Sequence, residues 1–213
     1  MDAARDPAGT SGLMRSGRRF FSSLFFIFAL AGCGAVPRIV VLQDPLSAEE
    51  HLQLGLSYEA DGKWDLAISE YQAALQKGGA ASVIEGYLGN VYFAKNDFSS
   101  ATTAYRKSLQ ENPQNAPLLN NLANLYLAQK TDLEEAESLA RRAIEIDPSR
   151  KAYYLDTLGS IYIEREDYDL ALSVFREAET LAGPDGALIE AIRKNQARLV
   201  DLLGLRNGQN DGS

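Results

Sequence analysis

Apolar positions are distributed unevenly along the 213 residues. Five of the eight phenylalanines (Phe20, Phe21, Phe25, Phe26, Phe28) stand in one block, whereas every tyrosine lies between Tyr58 and Tyr168. From about residue 48 onward apolar residues recur three and four apart, the period of one face of an α-helix. The phase of this pattern changes halfway through each stretch of about 34 residues, which predicts two helices per stretch.

The repeat can be followed residue by residue. Leu54, Leu88, Leu122 and Leu158 each precede a small residue (Gly55, Gly89, Ala123, Gly159), and a tyrosine follows three later (Tyr58, Tyr92, Tyr126, Tyr162). Successive small residues are 34, 34 and 36 positions apart. Downstream come an alanine (Ala67, Ala101, Ala136, Ala171), a residue four later (Tyr71, Tyr105, Ala140, Phe175) and a small one three beyond (Ala74, Ser108, Ala143, Ala178). Leucine and tyrosine four apart share a face of the first helix, and the small residue between them admits a close partner. Asp61-Gly62-Lys63-Trp64, Asn96-Asp97-Phe98 and Glu166-Asp167-Tyr168 supply turns, each followed by an aromatic corner plug. Ser47 with Glu50, and Asp132 with Glu135, read as capping boxes.

This constellation resembles the tetratricopeptide repeat over about residues 48–185. The resemblance implies an all-α fold, a right-handed α-solenoid of four helix-turn-helix units (about 48–81, 82–115, 116–151 and 152–185). A stack of repeats exposes its last apolar face, so a cap is expected. Residues 186–204 suit it, with Leu188, Ile189, Ile192, Leu199, Val200 and Leu203 on one face and Arg193, Lys194 and Arg198 on the other. Residues 205–213 are polar and read as a disordered tail. The third unit has an extra residue between Tyr126 and Ala136 and lacks an aromatic at Ala140, which predicts a looser pair of helices or a longer turn near Lys130 and Thr131.

The early block is a separate element. Arg15, Arg18 and Arg19 precede the apolar run Phe20 to Ala31, which is shorter than the roughly 20 residues that span a bilayer. Charge, apolar run and small residues in that order predict an export signal over residues 1–32, with Met14 as a second possible start. Leu30-Ala31-Gly32-Cys33 resembles the lipobox of bacterial lipoproteins, which implies cleavage before Cys33 and acylation of that residue. Several acyl chains hold a protein lastingly on a membrane surface. Residues 33–46 then form an extended tether with Pro37 and Pro45, and Ile39 to Leu42 are placed against the first unit. Gly34, where an aspartate is absent, implies by resemblance to Gram-negative lipoproteins the outer membrane, facing the periplasm.

Charge and chemistry narrow the function. The formal net charge is −8, and loss of four arginines and two aspartates with residues 1–32 makes it −10. That balance argues against nucleic acid as a partner. One cysteine and one histidine exclude internal disulfides, Cys-x-x-Cys pairs and two-histidine zinc motifs. His51 beside Glu50 has no second histidine or cysteine for a zinc site or a triad, and no phosphate-binding glycine loop occurs, so neither enzyme activity, cofactor nor metal is expected.

The resemblance implies an inner wall built from the first helix of each unit. The stripe at three before, one after and four after each small residue holds Leu52, Leu56 and Glu59, then Gly86, Asn90 and Phe93, then Asn120, Asn124 and Leu127, then Asp156, Ser160 and Ile163. From it a partner-binding groove of Leu52, Leu56, Asn90, Phe93, Asn120, Asn121, Asn124, Leu127 and Ser160 is expected, its amides serving the backbone of an extended segment. The lysines and arginines with which chaperone-binding members of the family grip a terminal carboxylate are missing. The expectation is a non-catalytic, lipid-anchored scaffold that binds envelope proteins. The alternatives are an assembly factor for a pilus or secretion pore, resembling pilotins, or an accessory subunit of an envelope peptidase or synthase.

Overall fold

The computed structural model describes residues 44–210, with side chains to residue 204. The expected export signal, Cys33, the tether through residue 43 and residues 211–213 lie outside the described residues. The described residues form nine α-helices and no strand: α1 (Ala48–Ala60), α2 (Trp64–Gln76), α3 (Ala81–Ala94), α4 (Phe98–Glu111), α5 (Ala116–Gln129), α6 (Leu133–Ile146), α7 (Lys151–Glu164), α8 (Tyr168–Leu181) and α9 (Gly186–Asn210). A short 3-10 turn, Pro148–Arg150, leads into α7. None of these helices is long and apolar enough to cross a membrane. The first eight pair into four hairpins, each closed by a turn of three residues, and α9 packs on the last.

A glycine under a ring closes three of the four hairpins. A β-carbon placed on Gly55 would stand 2.4 Å from Tyr71, on Gly89 2.3 Å from Tyr105, and on Gly159 2.5 Å from Phe175. No side chain fits there. A glycine inside a helix costs about 1 kcal/mol against alanine, but a fully buried aromatic side chain contributes about 1.5–3 kcal/mol. Tyr71, Tyr105 and Phe175 are at most 1% exposed, so the exchange favours glycine.

The third unit changes on both sides at once. Ala123 stands for glycine and Ala140 for the ring, and both are fully buried. The methyl of Ala123 takes room that a ring needs elsewhere, so the missing aromatic does not leave the hairpin open. Nor is the turn longer. The extra residue extends α5, and Lys130-Thr131-Asp132 turns with two left-handed residues (φ 54° and 47°), where Gly62, Asn96 and Glu166 each serve alone. Left-handed Asp132 makes no side-chain cap, which overturns the expected box with Glu135. Glu135 instead accepts from Arg106 at 3.3 Å. The Ser47–Glu50 box does form, with Glu50 N–H donating to Ser47 Oγ at 3.2 Å and Ser47 N–H to Glu50 Oε2 at 2.8 Å.

Neighbouring units are joined by a second recurring contact. Arg106 of α4 donates to the Tyr126 hydroxyl of α5 at 2.7 Å, and Arg141 of α6 to the Tyr162 hydroxyl of α7 at 2.5 Å. In both cases the arginine follows the ring position directly. Between the first two units Gln72 stands there, and Tyr92 receives no guanidinium.

At the far end Leu188, Ile192 and Leu199 of α9 are buried against the last hairpin. Val200, expected on the same face, is 62% exposed, because it follows Leu199 and lies about 100° round the helix. The helix continues through Gly204 to Asn210, where a disordered tail was expected from residue 205. Isolated glycines such as Gly204 and Gly208 weaken a helix without ending it, and no proline interrupts the stretch.

The ring-over-glycine contact is testable by a double-mutant cycle. Gly89→Ala should destabilise by about 1–3 kcal/mol through overpacking. Adding Tyr105→Ala, which reproduces the third unit, should give a total smaller than the sum of the single losses by at least about 1 kcal/mol in urea unfolding. Additive losses would show that the two positions do not share space.

Candidate binding groove

The wall stripe comes from the first helix of each hairpin, and the second helix decides which way its polar groups point. Tyr105 is buried in α4, and its ring crosses Gly89 so that the hydroxyl emerges beside Asn90, donating to Asn90 Oδ1 at 2.8 Å. Asn121 of α5 donates to the same oxygen at 3.0 Å. With its carbonyl oxygen engaged twice, Asn90 has its NH2 left to offer, and Asn121 keeps its own carbonyl oxygen. In the first unit Tyr71 likewise crosses Gly55 and donates its hydroxyl to Glu59. Burial, then the Glu59 carboxylate, push both phenols well above the ordinary tyrosine pKa, so both hydroxyls stay protonated donors.

These groups surround an open cavity of about 640 Å³ lined by Glu59, Asn90, Phe93, Tyr105, Asn121, Asn124, Leu127 and Ala128. Phe93 and Leu127 form its apolar side, with Phe93 braced by Phe98 at 5.9 Å between ring centres. Asn124 makes no side-chain hydrogen bond among the described residues. Two smaller hollows adjoin it. One is lined by Val83, Gly86, Tyr87, Asn90, Pro117 and Asn121 among others, and the second by Pro117, Asn120, Asn121, Arg150, Tyr153 and Tyr154. Asn121 borders all three.

Five of the nine residues expected to form the groove therefore meet at the cavity: Asn90, Phe93, Asn121, Asn124 and Leu127. The other four lie elsewhere. Leu52 and Leu56 are half-buried against the core between the first two units. Asn120 lines the hollow beside Arg150, and its carbonyl oxygen is buried without a hydrogen-bond partner among the described residues. Ser160 belongs to the stretch of wall that α9 crosses, where Asn195 donates to Asp156 at 2.8 Å, Arg198 pairs with Glu164 at 2.5 Å, and Ile163 is buried. Tyr105 and Ala128 were not anticipated. The signal for Tyr105 is a tyrosine at a position where Phe175 packs equally well, so its hydroxyl has work beyond packing.

His51 is held between two carboxylates. It is 4% exposed, with Nδ1 2.6 Å from Glu70 Oε2 and Nε2 2.6 Å from Asp44 Oδ2. Lys77 donates to the Asp44 carbonyl oxygen at 2.7 Å and stands 4.0 Å from its carboxylate. The bond to Glu70 raises the imidazole above its ordinary pKa of 6.5, burial opposes this, and Asp44 adds to it. Both ring nitrogens then donate, and the imidazolium pins the start of the described chain to α1 and α2. No group of His, Cys, Asp and Glu among the described residues is placed to hold a metal.

Family models described as tetratricopeptide repeat match residues 51–77, 92–161 and 152–184, together more than half of the chain. The chain belongs to the tetratricopeptide-repeat family. Among curated relatives, the "BBSome complex member bbs-4" of Caenorhabditis elegans is 30% identical over 102 residues, which is 48% of this chain and 22% of that protein. The chain thus spans about a fifth of that relative. Many solved structures share the repeat fold. TTC0263, a thermophilic TPR protein of Thermus thermophilus, has a TM-score of 0.61 at 21% identity, covering 74% of this chain and 84% of its own. YrrB, "a TPR protein with an unusual peptide-binding site", has a TM-score of 0.59 at 20% identity, covering 69% and 74%. The hairpins and their inner wall are therefore those of tetratricopeptide repeats, and the side chains on that wall are this chain's own.

The histidine pin gives a pH prediction. The folded-state pKa lies above the unfolded one, so its stabilisation is complete below the unfolded value and is lost as pH rises through the folded value. The urea midpoint should fall as pH rises above the ordinary imidazole value of about 6.5, and His51→Gln should remove that part of the fall. An unchanged profile in His51→Gln would show that the pin carries no charge.

Proposed function

We propose that this protein is a non-catalytic adaptor, anchored through lipid on Cys33 at the bacterial cell envelope, that holds a segment of an envelope protein in its groove. One observation carries the binding half of the reading: polar groups at the cavity are left without partners of their own, beside an apolar wall. Asn124, the NH2 of Asn90 and the carbonyl oxygen of Asn121 match the donors and acceptors of an extended backbone. A chain held through its backbone is recognised with little regard to most of its side chains. The relatives agree in kind, since one is a member of a protein complex and one has a peptide-binding site. Anchoring rests on the order of Arg15, Arg18 and Arg19, the apolar run and Leu30-Ala31-Gly32-Cys33. Gly34 directs the anchored form to the outer membrane, facing the periplasm.

Two measurements test the halves separately. A photoreactive residue at position 124 should crosslink a distinct protein in intact cells, and a matched residue on the outer face, at position 103, should not; equal labelling from both would remove the groove as a binding site. Metabolic labelling with an alkyne fatty acid should mark the wild-type chain, and Cys33→Ser should abolish both label and membrane sedimentation. Persistent labelling in Cys33→Ser would refute the anchor.

A further inference from the structure

The wall also carries charge, and its placement is informative. Asp156 on the fourth unit accepts from Asn195, and the nearby Glu164 is paired with Lys130 at 2.7 Å and Arg198 at 2.5 Å. Glu59 differs. It borders the main cavity, is half-buried, accepts the Tyr71 hydroxyl and makes no ion pair among the described residues. One hydroxyl leaves a carboxylate with several lone-pair sites to fill. Lys63 and Lys95 on the adjoining turns are engaged with Asp61 and Asp65. The chain as a whole carries −8, which draws in basic partners over distances beyond contact.

Resting on the groove reading above, we infer that the segment it binds is cationic: extended, with a lysine or arginine paired to Glu59 and a neighbouring apolar side chain against Phe93 and Leu127. The amides of Asn90, Asn121 and Asn124 lie in the same cavity and take the backbone between these two contacts. An acidic segment would place like charges together at Glu59, and a wholly apolar one would leave the carboxylate half-desolvated without a counter-ion.

The test uses dodecapeptides selected from a random phage-displayed library on the immobilised full chain, then synthesised with a fluorescent label and titrated by anisotropy. Recovered peptides should pair lysine or arginine with an apolar residue. Their affinity should fall about tenfold in Glu59→Gln, the difference between a charge-assisted and a neutral hydrogen bond, and should weaken with added NaCl more in the wild type than in the variant. Glutamine keeps an acceptor for the Tyr71 hydroxyl, and an unchanged thermal melt verifies the fold. Glu59→Lys should turn the selection toward acidic peptides. Peptides without basic enrichment that lose affinity in Phe93→Ala but not in Glu59→Gln would overturn the cationic assignment and leave the groove standing. Peptides indifferent to both substitutions, or no recovery at all, would overturn both.

Discussion

The contact on which the rest depends is a ring laid across the backbone of a neighbouring helix. Gly55, Gly89 and Gly159 have no β-carbon, so Tyr71, Tyr105 and Phe175 lie against bare helix and the two helices of each hairpin approach closely. The third unit shows that the constraint is volume rather than residue type, because alanine facing alanine meets it as well. Everything on the inner wall inherits its position from this contact. Without it α3 and α4 would separate, and the Tyr105 hydroxyl could not reach through to Asn90.

That reach joins packing to recognition. A phenylalanine at position 105 would fill the same space, yet it would leave the Asn90 carbonyl oxygen held by Asn121 alone. The tyrosine and Asn121 together fix the carbonyl oxygen inward. The cavity therefore presents a set of hydrogen-bonding groups already oriented by the core, which would lower the ordering cost for a segment bound there as proposed. The same device in the first unit holds the Glu59 carboxylate through Tyr71.

Much of this was legible in the amino-acid pattern. The leucine, small residue and tyrosine at fixed spacing specify helix faces, so the four hairpins follow from periodicity, and the resemblance to tetratricopeptide repeats adds which face forms the central wall of Asn90, Phe93, Asn124 and Leu127. What periodicity does not hold is who meets whom across space. Leu52 and Leu56 share the stripe of Asn90, but they rest on the core between the first two units. Asn120, one turn from Asn124, borders a different hollow. Ser160 was placed on an open wall, and only the path of α9 closes it. His51 draws its carboxylates from seven and 19 residues away, and neither spacing belongs to the repeat.

The joints between units are unequal in a way that matters under load. The second and third units, and the third and fourth, are clasped by an arginine on a tyrosine hydroxyl. The first and second lack the clasp, and a hollow of about 280 Å³ lies between them. A pull on the chain at Asp44 meets the His51 pin first, then the unclasped joint, and only afterwards the clasped ones. The first hairpin therefore takes such a load before the two units that frame most of the cavity.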